Sequence, residues 1–470
     1  MSLTCRFCVV CIVWLSAVGC NGATVAMKGD QERRLVEYSK PAADAPELAY
    51  WGTYSVGVQT VSFLDTDRLA LLDIDPETSL PKSQDRLLDS LVWYPAIEGS
   101  GNAERAEYTR QFIQDPKSPM PELPRNWTTT GHAISNAAPV MEETFPLIVL
   151  AHGWAGNPAA LTYIGENLAS KGYVVIAPDL MDVLPDDPQV FELLFPRAMI
   201  NRAQDLNFIL EEATGVMAGE HAWLSTLIDP DKVALIGNSL GGMGALRTAG
   251  VAYDGTSPAA SWIPGGLFEN QTSQAEDPID VTFENLDAMV LIAPWGAQDD
   301  AALFSNNALA SLTAPLFVIS GELDAIAGYE TGPKRIYQEA GSQEKYHLTF
   351  EAAGHGITPA PVPAAADEYP YGAIGTRDAV WRGEAVAATQ QHFLTAFLDA
   401  TLKSDDTARH YLTVETERAS DGVWPLVNNE APDTFAPMAE AGVTYWPGFR
   451  RHRARGLRLE YQAPTSGTTN

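Results

Sequence analysis

The pentapeptide Gly237-Asn238-Ser239-Leu240-Gly241 lies between an apolar run at 233–236 and a run of small residues at 242–246, which sets a serine on a strand-to-helix turn. A chain reversing this sharply holds the serine in a strained backbone conformation, and glycines two positions before and after it remove side chains that would collide. The hydroxyl is then left at the end of the strand. The N–H of Leu240, at the start of the helix, faces any negative charge that develops there, helped by the positive end of the helix dipole. Upstream, the apolar strand 147–151, the helical spacing of 163–169 and the second apolar strand 173–177 make a βαβ unit. Such a unit points to the α/β class, with a mostly parallel central sheet covered by helices on both faces.

A serine hydroxyl is a poor nucleophile at neutral pH, so this reading requires a histidine base and a carboxylate, in the order acid then histidine after the serine. The β-branched run 315–321 ends in glycine and is followed by Glu322-Leu323-Asp324. Asp324 is the natural acid, with Glu322 and the pair Asp299 and Asp300 as rivals. Among eight histidines, His355 stands in Ala353-Gly354-His355-Gly356, just past the strand-like run 346–350, where glycines let a loop carry the imidazole to the serine. His347 lies inside that strand and His392 on the helical pattern 385–402, both read as structural. A second oxyanion donor is expected from the loop after strand 147–151, His152-Gly153-Trp154-Ala155-Gly156, where Gly153 lets the chain turn the N–H of Trp154 into the site. His152 is read as part of that turn. The chemistry needs no metal or cofactor. The chain carries no H-E-x-x-H, no paired Cys/His spacing, no P-loop and no dinucleotide fingerprint.

The first residues read as an export signal: Arg6, an apolar run at 7–15, then Ala17-Val18-Gly19 before Cys20. All four cysteines (Cys5, Cys8, Cys11 and Cys20) fall in this leader, so the domain that follows is expected to hold together by burial alone. Without the leader, 29 basic residues face 60 acidic ones. A surface so acidic repels nucleic acid and anionic membranes and suits a protein secreted into salty water, where screening softens self-repulsion.

Several stretches are similar to known families. Residues 51–402 resemble the α/β-hydrolase superfamily, in particular dienelactone-hydrolase-like proteins, platelet-activating-factor acetylhydrolases and bacterial cutinases. Gly52-Thr-Tyr-Ser-Val-Gly57 and Leu91-Val-Trp-Tyr-Pro95 look like the opening strands of the acetylhydrolases. The stretches 165–176, 202–207 and 323–327, with Pro294-Trp295, look like their counterparts in cutinases and polyester hydrolases. Carried over residue by residue, the resemblance implies Ser239, Asp324 and His355 as a catalytic triad, Trp154 and Leu240 as the oxyanion hole, and Trp295 as an aromatic wall for the acyl group. It implies a serine carboxylic ester hydrolase acting on short-chain or aromatic esters. Polyester or lipid ester cleavage and a non-catalytic, ligand-binding surface lipoprotein remain as alternatives.

Two departures from the pattern stand out. Ser239 occupies the place where some dienelactone hydrolases carry cysteine, and the usual carboxy-terminal disulfide of cutinases is absent from the sequence. The leader resembles a bacterial lipoprotein signal, which implies lipidation at Cys20 and, from Asn21, sorting to an outer membrane; a simple secretory signal or a short anchor are the alternatives. The expected organisation is therefore a signal at 1–19, a lipidated tether at 20–48, the catalytic domain at 49–402 and an extension at 403–470 packed on it, with membrane contact only through Cys20. Residues 104–143 read as a surface insertion. Residues 182–200, 253–285 and 357–384 are candidate lids, with Trp262, Tyr369, Tyr371 and Trp381 as candidate pocket aromatics.

Overall fold

Successive side chains of a strand point to opposite faces, and in the middle of this chain both sets are apolar. In the computed structural model, Leu147, Val149 and Ala151 enter one buried cluster while Ile148 and Leu150 enter another. Leu316 and Val318 divide from Phe317 and Ile319 in the same way. The two clusters are the two faces of one sheet, and burial on both faces explains why these strands read as continuous apolar runs. The structure describes residues 35–462 apart from 39, 75–80, 101–103, 112–125, 155, 181–187, 218, 264–266, 273, 277–278, 365–376 and 427–436. Cys20, the leader, Tyr369 and Tyr371 lie outside these.

The strands are β1 (Leu35–Val36), β2 (Ser55–Ile74), β3 (Pro81–Ala96), β4 (Arg105–Gln111), β5 (Asn126–Ser135), β6 (Phe145–Ala151), β7 (Val174–Pro178), β8 (Ile228–Asn238), β9 (Ala288–Ile292), β10 (Leu316–Gly321), β11 (Lys345–Phe350), the short pair β12 (Trp424–Pro425) and β13 (Met438–Ala439), and β14 (Leu457–Gln462). The helices are α1 (Thr162–Ala169), α2 (Pro188–Thr214), α3 (Ala222–Leu227), α4 (Leu240–Thr248), α5 (Asn306–Leu309), α6 (Pro333–Glu339) and α7 (Gly383–Leu402). Among the described residues the main sheet runs β1-β5-β2-β3-β7-β6-β8-β9-β10-β11-β14, with β4 beside β5. From β7 to β11 every neighbour is parallel; β3 and β14 flank that run antiparallel. Parallel strands end on the same side, so the loops after β6, β8, β9, β10 and β11 meet at one rim. No helix among the described residues is long and apolar enough to cross a membrane.

Three segments differ from the sequence reading. Within 104–143, read as a surface insertion, residues 105–111 and 126–135 belong to the sheet instead: β4 and β5 extend it, and Tyr108, Thr129 and Ala133 are buried in it. Their alternation of polar and apolar residues is that of a strand pair with one covered face. The residues after 403 supply β14, whose register sets Glu460 opposite His347. Residues 35–48, read as tether, are docked. The Glu37 carboxylate meets Arg110 at 2.9 Å, Lys171 Nζ donates to the Leu48 carbonyl at 2.6 Å and Asn167 to that of Ala49 at 2.9 Å. These contacts are mostly to backbone, which is why a polar composition hid them.

His392 on α7 is part of the same clasp. It is fully buried, and its Nδ1 accepts the N–H of Leu48 at 3.1 Å. Burial, reinforced by the Lys171 charge, pushes the imidazole pKa down to about 3. The unfolded chain binds a proton near pH 6.5 and the folded one does not, so stability is fully present above that pH and is lost as pH falls from 6.5 towards 3. The loss amounts to several kcal/mol, on the order of 4. Urea unfolding across this window is expected to show a steep acid limb that His392→Gln, whose amide still accepts from Leu48, flattens. Equal limbs in the two proteins would contradict this role.

Candidate active site

Ser239 sits between β8 and α4 with φ 51° and ψ −117°, a conformation that costs an L-residue about 1–3 kcal/mol. Neighbouring strands hold it there. Its N–H donates to the Ile292 carbonyl at 2.9 Å, which also receives the Asn238 amide at 3.1 Å. Its own carbonyl accepts the N–H groups of Gly242 at 2.8 Å and Trp295 at 3.1 Å. The close approach explains the flanking glycines: a Cβ at 237 would lie 2.5 Å from the Gly241 carbonyl oxygen, and one at 241 would lie 2.3 Å from that of Ala151.

His355 reaches this serine from the loop after β11. Its Nε2 is 3.0 Å from Ser239 Oγ, and its Nδ1 is 2.8 Å from Asp324 Oδ2. A carboxylate only accepts, so Nδ1 carries the proton and Nε2 is left to accept the serine hydroxyl. The Asp324 side chain is fully buried, and its other oxygen accepts the N–H groups of Ile326 at 3.0 Å and Ala327 at 2.8 Å. The loops after β10 and β11 touch through Gly321, where a Cβ would meet the Gly354 carbonyl oxygen at 2.2 Å.

The rivals go elsewhere. Asp299 and Asp300 are exposed, and Glu322 accepts the N–H of Ala352 at 3.1 Å. His347 is buried on β11 against Ser320 Oγ at 2.7 Å, with Glu460 Oε2 3.4 Å from its other ring nitrogen. Burial pushes this imidazole down, while the bond from His347 holds the Glu460 carboxyl low.

Gly153 lies against Ser239, since a Cβ there would be 3.3 Å from that of the serine. The next residue is Trp154. His152 is a structural member of this turn: its Nε2 accepts the N–H of Leu180 at 3.1 Å, so Nδ1 carries the proton and donates to the Gly153 carbonyl at 2.9 Å. Two supporting residues received no role in the sequence reading, although Arg202 opens the cutinase-like stretch 202–207. Arg202, buried on α2, donates to the carbonyl of His152 and, at 3.0 Å, to that of Gly153. Asp378 accepts the N–H of Gly354 at 2.8 Å and those of Val380 and Trp381 at 2.8 Å each, which braces the loop carrying His355. Both act through backbone groups distant in sequence, and no motif announces such a contact. Trp295 is buried beside Trp262 and Phe195, whereas Trp381 packs on Phe350 and donates to the Glu351 carbonyl at 2.8 Å. Among the described residues no group of three or more His, Cys, Asp or Glu side chains could hold a metal ion.

Residues 146–260 match the family described as the alpha/beta hydrolase fold, covering β6, the turn at Ser239 and α4. The chain has the α/β-hydrolase fold. Residues 48–183 of the chain match platelet-activating factor acetylhydrolase, isoform II. It is 26% identical over 218 residues to Cutinase 1 of Thermobifida cellulosilytica, covering 46% of this chain and 63% of that protein. The identity to a cutinase of Thermobifida fusca (strain YX) is also 26% over 218 residues, covering 54% of that protein. The chain thus spans less than two thirds of the length of either relative. Among solved structures it is similar to a ferulic acid esterase from Streptomyces cinnamoneus, with 20% identity, a TM-score of 0.47, and coverage of 75% of this chain and 91% of that one.

Proposed function

We infer that this protein is a serine carboxylic ester hydrolase that works through an acyl-enzyme. The observation that carries the reading is the unbroken hydrogen-bonded line from Ser239 Oγ through His355 to the buried Asp324. As Ser239 attacks an ester carbonyl, His355 Nε2 takes its proton, Asp324 stabilises the imidazolium, and the proton passes to the departing alcohol. Water, deprotonated by the same imidazole, then releases the acid. The N–H groups of Trp154 and Leu240 face the oxyanion, and Trp295 walls the acyl side. The cutinase names of its relatives favour a carboxylic ester over an amide. Short-chain and aromatic esters are the proposed substrates; polyester is the second reading, favoured by the exposed Leu323 and Ile326 flanking Asp324. A p-nitrophenyl ester series from acetate to laurate, run on wild type and Ser239→Ala, tests this. A serine-dependent rate that falls beyond butyrate supports the reading, and equal background rates in both proteins sink it. The leader adds export with a lipid anchor at Cys20, which fatty-acid labelling lost in Cys20→Ala would support.

Arg202 gives a sharper expectation. The Gly153–Trp154 peptide is planar, so fixing the Gly153 carbonyl fixes the direction of the Trp154 N–H. Arg202→Met is expected to lower kcat about tenfold to a hundredfold with KM little changed, and to cost about 1–3 kcal/mol for carbonyls left short of a donor. Steady-state kinetics beside urea unfolding separates the two. A kcat equal to wild type would show that the loop holds its shape without the guanidinium.

A further inference from the structure

One ring bridges the two tryptophans that adjoin the nucleophile. The Phe195 centroid lies 5.2 Å from that of Trp154 at an interplanar angle of 79°, and 5.3 Å from that of Trp295 at 86°. Trp262 closes the far side, 6.2 Å from Phe195 and 6.1 Å from Trp295. Edge-to-face contacts at these spacings are the favourable arrangement for aromatic groups, so Phe195 has the partners that an aromatic ring of a substrate would seek. Both indoles belong to residues fixed beside Ser239: Trp295 donates its N–H to the Ser239 carbonyl, and Trp154 follows Gly153, which lies against the serine.

The position of Phe195 in α2 adds to this. Pro196, the next residue, stands inside the helix, supplies no N–H to the carbonyl of Glu192 and crowds it, which weakens the helix at that joint. Beyond the joint α2 is firmly attached: Arg202 holds the carbonyls of His152 and Gly153, and Arg86 Nε meets the buried Asp205 at 2.6 Å. The ring is therefore carried by the helix end on the far side of a weak joint from these anchors.

The geometry points to Phe195 as the specificity-determining residue of this site, a plug in an aromatic slot between Trp154 and Trp295 that a benzoyl or cinnamoyl group must displace. This rests on the ester-hydrolase reading of Ser239. The plug sets which acyl groups enter: an acetyl group needs no slot, while an aromatic acyl group competes with Phe195 for the same two indoles.

The test is the ratio of kcat/KM for p-nitrophenyl benzoate to that for p-nitrophenyl acetate, in wild type, Phe195→Ala, Phe195→Leu and Phe195→Trp. Opening the slot with alanine is expected to raise the ratio by about tenfold or more, with leucine between, and the larger tryptophan to lower it. A ratio that stays constant, or falls in Phe195→Ala, overturns the proposal by making the ring an ordinary wall of the pocket. Should Phe195→Ala fail to fold by circular dichroism, the leucine and tryptophan variants decide by moving the ratio in opposite directions or leaving it fixed. Failure of the underlying reading looks different, because wild type would then turn over neither ester in a Ser239-dependent way.

Discussion

Ser239→Ala is expected to lower kcat by roughly a million-fold while the protein folds as before. The alanine removes the attacking oxygen and nothing that holds the turn, since every hydrogen bond of residue 239 to its neighbours other than that to His355 is made by its backbone. His355→Ala should cost about as much, and the double variant little more than either single one, because nucleophile and base act as a unit. Asp324→Asn should cost about ten-thousand-fold. An asparagine amide donates where the carboxylate accepts, which turns the proton of His355 to Nε2, where it can no longer receive that of the serine. Initial rates at saturating ester, with circular dichroism as the control for folding, check all four. A double variant falling by the product of the single losses would mean that the groups work independently.

Gly241→Ala carries the largest expected effect on the fold. The added carbon would sit 2.3 Å from the Ala151 carbonyl oxygen, 2.7 Å from its carbon and 2.7 Å from the His152 carbonyl oxygen. None of these can step aside cheaply. Ala151 is paired with Gly237 in the sheet, and the His152 carbonyl is held by Arg202. Overpacking against backbone of this kind should cost about 3 kcal/mol or more, and the distortion falls on the turn that presents Ser239. Chemical denaturation should show a lowered midpoint with little change in slope, or no folded protein at all. A midpoint equal to wild type would show that the turn and β6 have room for a side chain at 241.

The parts of this site that announce themselves in the sequence are those whose chemistry is local. The glycine-flanked Ser239, the strand runs 147–151 and 315–321, and His355 between Gly354 and Gly356 can each be read from a few consecutive residues, although the backbone that forbids a side chain at Gly241 and Gly356 belongs to Ala151 and Arg377. Asp324 follows its strand closely enough to share that signal. Phe195, Arg202 and Asp378 do not: Arg202 binds carbonyls 50 and 49 residues away, and Asp378 an N–H 24 residues away. Such residues look like any aromatic, basic or acidic residue until the chain is folded. The same reason hid the docked segment 35–48, whose partners are backbone groups and the buried Lys171 and His392. The strands β4 and β5 were hidden differently, by an alternation of polar and apolar residues that reads as surface when nothing shows which face is covered.

The central claim is that Ser239 is the one hydroxyl made nucleophilic by this fold, and a p-nitrophenyl alkylphosphonate tests it most directly. Attack by the activated serine expels p-nitrophenolate and leaves a stable phosphonyl ester on Oγ. Mass spectrometry of the digested protein should find one adduct, on the peptide holding Ser239, formed in the native state and absent after unfolding or in His355→Ala. An adduct on a different residue, or ester turnover that survives in Ser239→Ala, would contradict the account.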